Sequence, residues 1–121
     1  MLDAVNLEEK FGLFDEAWSP KIVGHLNGQL VKVVKLRGEF VWHHHDEEDE
    51  LFLVVRGELR MRFRDRDVLV KPGEFLIVPR TVEHLPVAES DEVWVVLFEP
   101  ASTLNTGNVV GERTVTQLEQ L

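Results

Sequence analysis

VWHHHDEEDELFLVVRGELRMRF, residues 41–63, sets three histidines against five consecutive acids and then runs into strand-like apolar alternation. A solvated loop would accommodate the acids, but it has no use for Trp42 in front or for Leu51-Phe52-Leu53-Val54-Val55 behind. The reading turns on which of these side chains point inward together. Neighbours in an extended segment alternate between faces, so His43 and His45 share one face and His44 takes the other. A tight turn at Arg56-Gly57 would pair Val54 with Leu59, Phe52 with Met61 and Glu50 with Phe63, placing those six on one side. Leu51, Leu53 and Val55 would then lie opposite Glu58, Arg60, Arg62 and Arg64 on a wetter surface. In this register Glu50 belongs with the apolar interior and Asp49 lies outside. An isolated carboxylate among apolar groups is costly unless something positive is beside it. Two inward imidazoles and a metal ion would be that partner.

Outward from this stretch, strand signals recur at short intervals. Leu30 to Leu36, Leu59 to Phe63, Val68 to Val70, Phe75 to Val78 and Val93 to Phe98 are rich in β-branched and aromatic residues, separated by Gly, Pro or acidic turns. Asn27-Gly28 is a strong two-residue hairpin turn. Asn6, with Glu9 three residues on, predicts a short helix between Asn6 and Trp18, kept brief by Gly12, and Thr116 to Leu121 suits one helical turn. Short strands with regular turns predict an all-β sandwich or barrel. At 121 residues the chain suits a single domain, residues 1–121, with one core.

Composition excludes several chemistries. Cysteine and tyrosine are absent, which removes a thiolate nucleophile, a Zn-Cys site and a tyrosine general acid. With 22 acids against 13 bases the net charge is -9, which repels phosphate backbones and acidic lipid surfaces. We expect no nucleic-acid partner and no membrane association, and the lack of a signal-peptide pattern predicts a cytoplasmic location.

Residues 38–57 resemble the first motif of the cupin superfamily: Gly38, His43-x-His45, Glu50 after four intervening residues, and Gly57 after six more. Residues 73–84 resemble the second, with Gly73, Pro79 and His84. The resemblance implies a small cupin, a double-stranded β-helix or jelly-roll barrel with a short N-terminal helix or arm. It further implies that His43, His45, Glu50 and His84 hold one metal ion. This chain departs from the pattern at three places: Thr81 stands where glycine is usual, Ala88 at the final asparagine, and Gly38 is one residue nearer the first histidine.

Imidazole and carboxylate donors suit a divalent transition metal, Fe, Mn, Ni, Cu or Zn, with positions open for water or substrate. The side carrying the ligands also carries Val41, Phe52, Val54, Leu59, Met61 and Phe63, the expected walls of a substrate pocket. No lysine or arginine is assigned to that face, so a phosphate would lack its clamp. A small oxygenated molecule fits better. Two functions follow: a metal-dependent isomerase or dioxygenase, or a non-catalytic module that binds or senses a small molecule or metal. Asp46, Glu47, Glu48 and Asp49 read as a solvated acidic loop, His25 and His44 as ordinary surface or strand residues, and Trp42, Trp94 and Phe98 as packing groups. Metal binding should weaken below about pH 6, where free imidazole protonates. Val93 to Phe98 is apolar at every position, so its outer face needs cover; Phe11 to Trp18 supplies part and a second subunit, in a homodimer, the rest.

Overall fold

In the computed structural model, which describes residues 2–121, Asn27 and Gly28 both take left-handed backbone, with φ of 49° and 78°. This is the conformation that a two-residue turn between antiparallel strands demands. The turn joins β1 (Lys21–Leu26) to β2 (Gln29–Leu36). Six strands follow: β3 (Glu50–Arg56), β4 (Leu59–Arg62), β5 (Asp67–Val70), β6 (Phe75–Val78), β7 (Leu85–Ala88) and β8 (Val93–Pro100). They form two antiparallel sheets, ordered β1-β2-β8-β3-β6 and β5-β4-β7, the two layers of a jelly-roll barrel. Residues 38–43 run beside β7, where Ala88 N donates to Gly38 O and Phe40 N to Pro86 O.

Alternation along each strand fills the space between the sheets. Val34 and Leu36 of β2, Phe52 and Val54 of β3, Leu59 and Met61 of β4, and Val93, Val95 and Leu97 of β8 form one buried cluster. The opposite face of the larger sheet is apolar too, and the N-terminal arm covers part of it. The arm opens with α1 (Leu7–Phe11), capped as expected by Asn6 Oδ1, which accepts from Glu9 N at 2.9 Å. Phe11 stacks on Trp94 with ring centroids 4.6 Å apart, and Phe14 joins it against Val33 and Val96. No helix among the described residues is long and apolar enough to cross a membrane.

Three expectations are corrected. β3 and β4 are not a hairpin: β3 pairs with β6 and β8, β4 with β5 and β7. A strand has two edges, and both of β3's are taken. The chain instead turns a corner at Gly57, whose φ of 80° and close approach to the Glu92 carbonyl leave no room for a side chain. Phe52 and Val54 still meet Leu59 and Met61, across the barrel rather than along a ladder. Leu51, Leu53 and Val55 consequently lie on the outer face of the larger sheet, apart from Arg60 and Arg62 on the smaller one. Residues 116–121 are not helical: the chain bends at Thr116 and Gln117, and Gln120 then bridges to Ile22, with Leu121 N donating to Ile22 O at the edge of β1. The sequence does not predict β7 because Pro86 interrupts it; β4 pairs with one side and residues 38–43 lie along the other, where Pro86 serves only as an acceptor, to Phe40 N.

Candidate metal centre

The two histidine-bearing segments are stitched together by backbone. His43 N donates to His84 O at 3.1 Å and His84 N to His43 O at 2.9 Å, an antiparallel bridge; nearby, Thr81 N donates to His45 O at 2.7 Å. Alternation then sends His43 and His45 inward, at 2% and 4% exposure, while His44 stays at the surface against Asp46. Glu50, the first residue of β3, enters from the larger sheet and is buried. Asp49 points outward and accepts from Arg80 N.

Ring orientation is set by backbone carbonyls. His43 Nδ1 lies 2.9 Å from Val41 O and His84 Nδ1 2.9 Å from Val82 O. A carbonyl only accepts, so Nδ1 carries the hydrogen in both rings and Nε2 keeps its lone pair. His45 Nε2 lies 3.2 Å and His84 Nε2 3.6 Å from Glu50 Oε1. None of these three buried atoms has a properly aligned hydrogen-bond partner. One ligand atom from each of His43, His45, Glu50 and His84 lies within 4.8 Å of the others. Metal–ligand bonds near 2.1 Å place donors about 3–4 Å apart, so this set is close to binding dimensions. Buried polar atoms without partners, aimed at one another, are what a cation would satisfy.

The electrostatics favour the ligating protonation states. Burial, helped by the neighbouring His84, pushes the His43 imidazole down to about 4. Burial alone would raise the Glu50 carboxyl, but the polar side chains of Glu99, His45 and His84 gathered around it outweigh burial and hold it well below the usual carboxylate range. Glu99 is pushed the opposite way, first by burial and then by the charge of Glu50.

Lys32 and Glu99 are the functional candidates that sequence reasoning missed. They form a fully buried ion pair, Lys32 Nζ to Glu99 Oε1 at 2.8 Å, on the ligands' side of the sheet. The signal was their parity: Lys32 alternates with Leu30, Val34 and Leu36, and Glu99 with Val93, Val95 and Leu97, all of which are buried.

Beside His43 and Glu50 lies a cavity of about 40 Å³, walled mainly by Trp18, Phe40, Phe52, Pro86 and Leu97, with Asn105 also lining it. Of the expected wall residues only Phe52 borders it. Val54, Leu59 and Met61, each at 0% exposure, fill the closed core. Val41 instead borders Thr106 and Arg113, and Phe63 borders Arg64 and Val82. Alternation assigns a side chain to a face, not to a depth along the barrel. On the other side of the cluster His45 borders a recess of about 290 Å³ with Asp46, Glu47, Glu48 and Asn108. The C-terminal segment closes over this region: Asn108 N donates to His44 O, and His44 N to Asn108 Oδ1. Gly107 presses so closely on this segment that a Cβ there would collide with the His44 carbonyl and crowd the His43 ring.

Comparison with known proteins agrees with this architecture. A family model for the cupin domain matches residues 30–99. A cupin-2 domain containing protein from Shewanella frigidimarina superposes with a TM-score of 0.77 at 41% identity, covering 79% of this chain and 93% of that one. Protein NMB1881 from Neisseria meningitidis gives 0.74 at 30% identity, covering 82% and 100%. The uncharacterized protein YdbB of Bacillus subtilis is 36% identical over 63 residues, which span 51% of this chain and 56% of that protein.

Proposed function

We propose, for a chain that belongs to the cupin family, that His43, His45, Glu50 and His84 hold one divalent transition metal at which a small oxygenated molecule is bound and transformed. The observation that carries this reading is the set of buried donor atoms that lack partners, with the histidine tautomers preset by Val41 O and Val82 O. Three imidazoles and a carboxylate, without thiolate, suit Fe, Mn, Ni, Cu or Zn. A bound ion supplies Lewis acidity toward an oxygen ligand, and electrons if it is redox-active.

The chain's own residues select the ligand and its surroundings. Trp18, Phe40, Phe52 and Leu97 make the cavity apolar, and among the described residues no lysine or arginine lines it. This favours a small, weakly charged molecule over a phosphorylated one. The titratable groups on the cavity wall, His43 and Glu50, both belong to the donor set. A proton-transferring isomerase needs a base free of the ion, so of the two reactions a dioxygenase-type oxidation fits this wall better than an isomerisation. The same feature supports the second reading, a non-catalytic module for binding or sensing, because such a module needs no base at all.

Elemental analysis of protein purified without added metal tests the reading. One ion per chain is expected, lost or strongly reduced in Glu50→Gln and His84→Ala and retained in Asp49→Asn. Equal metal content in Glu50→Gln and Asp49→Asn would remove Glu50 from the site. Native mass spectrometry of the same preparation would then identify a retained ligand.

A further inference from the structure

Directly behind Glu50 the barrel interior holds two more charged groups, and neither borders the cavity. Lys32 on β2 and Glu99 on β8 have side chains 2% and 1% exposed, joined at 2.8 Å. β8 lies between β2 and β3, so Glu99 sits between Lys32 on one side and Glu50 on the other. Leu51 pairs with Phe98, so the β3–β8 register brings Glu99 alongside Glu50, and the Glu50 charge acts on the Glu99 carboxyl. Its Oε2 has no hydrogen-bond partner.

Stability does not explain this arrangement. Taking two opposite charges out of water costs as much as their attraction returns, and apolar replacements of a buried pair are often as stable or more so. Apolar replacements would also suit the neighbours, since Val34 and Leu97 continue the same two rows. Placing a second carboxylate against Glu50 adds repulsion as well. The arrangement makes sense if it orients something. Glu50 can rotate about its side-chain torsions, whereas a metal ligand must present one oxygen in one direction. Glu50 Oε1 faces His45 and His84. Contact with Glu99 on the other side restricts the carboxyl from turning away, and Lys32 anchors Glu99 and offsets its charge.

We infer that Lys32 and Glu99 are a positioning pair that fixes the Glu50 carboxylate for metal binding, an inference that rests on the metal-centre reading above. Outer groups of this kind typically change metal affinity by about 10- to 100-fold when removed.

The test measures Co²⁺ and Zn²⁺ dissociation constants by chelator competition, together with the visible absorption of the Co²⁺ form, which reports the geometry around the ion. The variants are Lys32→Met/Glu99→Leu, Glu99→Asp and Glu99→Gln. The double variant removes both charges; it should unfold near the wild-type midpoint when metal-free, yet bind roughly 10- to 100-fold more weakly with an altered Co²⁺ spectrum. Glu99→Asp keeps the charge for Lys32 but withdraws from Glu50, so it should weaken binding in a protein that still folds. Glu99→Gln keeps an acceptor for Lys32 and gives Glu50 an N–H donor, so it should restore near wild-type affinity and spectrum. Wild-type affinity and spectrum in both the double variant and Glu99→Asp would overturn the inference and leave the metal centre standing. So would a Glu99→Gln protein as weak as Glu99→Asp. A wild-type protein that binds neither ion, with His84→Ala no different from it, would overturn the metal-centre reading and this inference together.

Discussion

Acid should loosen the metal-free protein through His43. Its imidazole is 2% exposed and is held down to about 4 from an ordinary 6.5, with burial the main cause and His84 the next. Between those values the unfolded chain binds a proton that the folded chain refuses. The stability contributed by keeping this ring neutral is therefore complete above pH 6.5 and is lost progressively as pH falls toward 4. A difference of that size amounts to about 3 kcal/mol when fully expressed, of which about 2 kcal/mol is lost between pH 7 and pH 5. Glu99 works in the opposite sense: its raised carboxyl is relieved by protonation as pH falls, so the total profile mixes both effects. The measurement is therefore a difference: urea unfolding of metal-free wild type and His43→Gln at several pH values from 7 to 4.5. The stability gap between the two proteins should shrink by about 2 kcal/mol between pH 7 and pH 5. A gap that stays constant across that range would refute the argument that burial keeps His43 neutral. For metal uptake the same shift means that proton competition at His43 begins closer to pH 4 than to the pH 6 expected for a free imidazole.

Further expectations follow from single positions. Thr81 has φ of 71°, which costs a β-branched residue about 1–2 kcal/mol, so Thr81→Gly should stabilise the protein by about 1 kcal/mol in urea titrations while leaving metal content unchanged. An unchanged or lower midpoint would mean that the loop is not strained there. Gly107→Ala should cost about 2 kcal/mol, because the added methyl collides with the His44 carbonyl, and should reduce metal content by displacing His43. Normal metal content in a folded Gly107→Ala protein would show that the segment does not bear on the site. We propose that a second copy of the chain covers the apolar strip where the arm ends, formed by Phe98, Leu51, Ile77 and Phe75 on β8, β3 and edge strand β6. Light scattering should give a dimer at micromolar concentration, converted to monomer by Ile77→Asp; the 13.9 kDa monomer mass in wild type would refute it.

What could be read from the sequence was whatever alternation and spacing control. The runs 30–36, 75–78 and 93–98 are strands because β-branched and aromatic residues suit a pleated, half-buried surface. His43, His45 and Glu50 face inward for the same reason of parity. Parity does not say which strand lies alongside, so a corner at Gly57 and a hairpin there leave the same trace from Glu50 to Phe63. Nor does it give depth, which is why Met61 and Leu59 fell in the closed core instead of the cavity wall. Lys32 carried its signal openly, but a lysine in a strand is by default a solvent-facing group; only the adjacency of β2 and β8 brings Glu99 to it. Residues 101–115 have no periodicity, and their contacts to His44 run through backbone and the Asn108 amide.

The bridge between His43 and His84 bears on how the protein folds as well as on what it binds. The donors come from opposite ends of a long chain excursion that contains β3, β4, β5 and β6, and they meet only when the strip ahead of His45 docks on β7. Closing a loop of that length before other contacts form carries an entropic penalty, so the docking belongs to a late step of assembly. An ion that needs all four donors then gains little hold on the folding transition state. It should leave the refolding rate nearly unchanged and slow unfolding instead, acting as a latch on the native state.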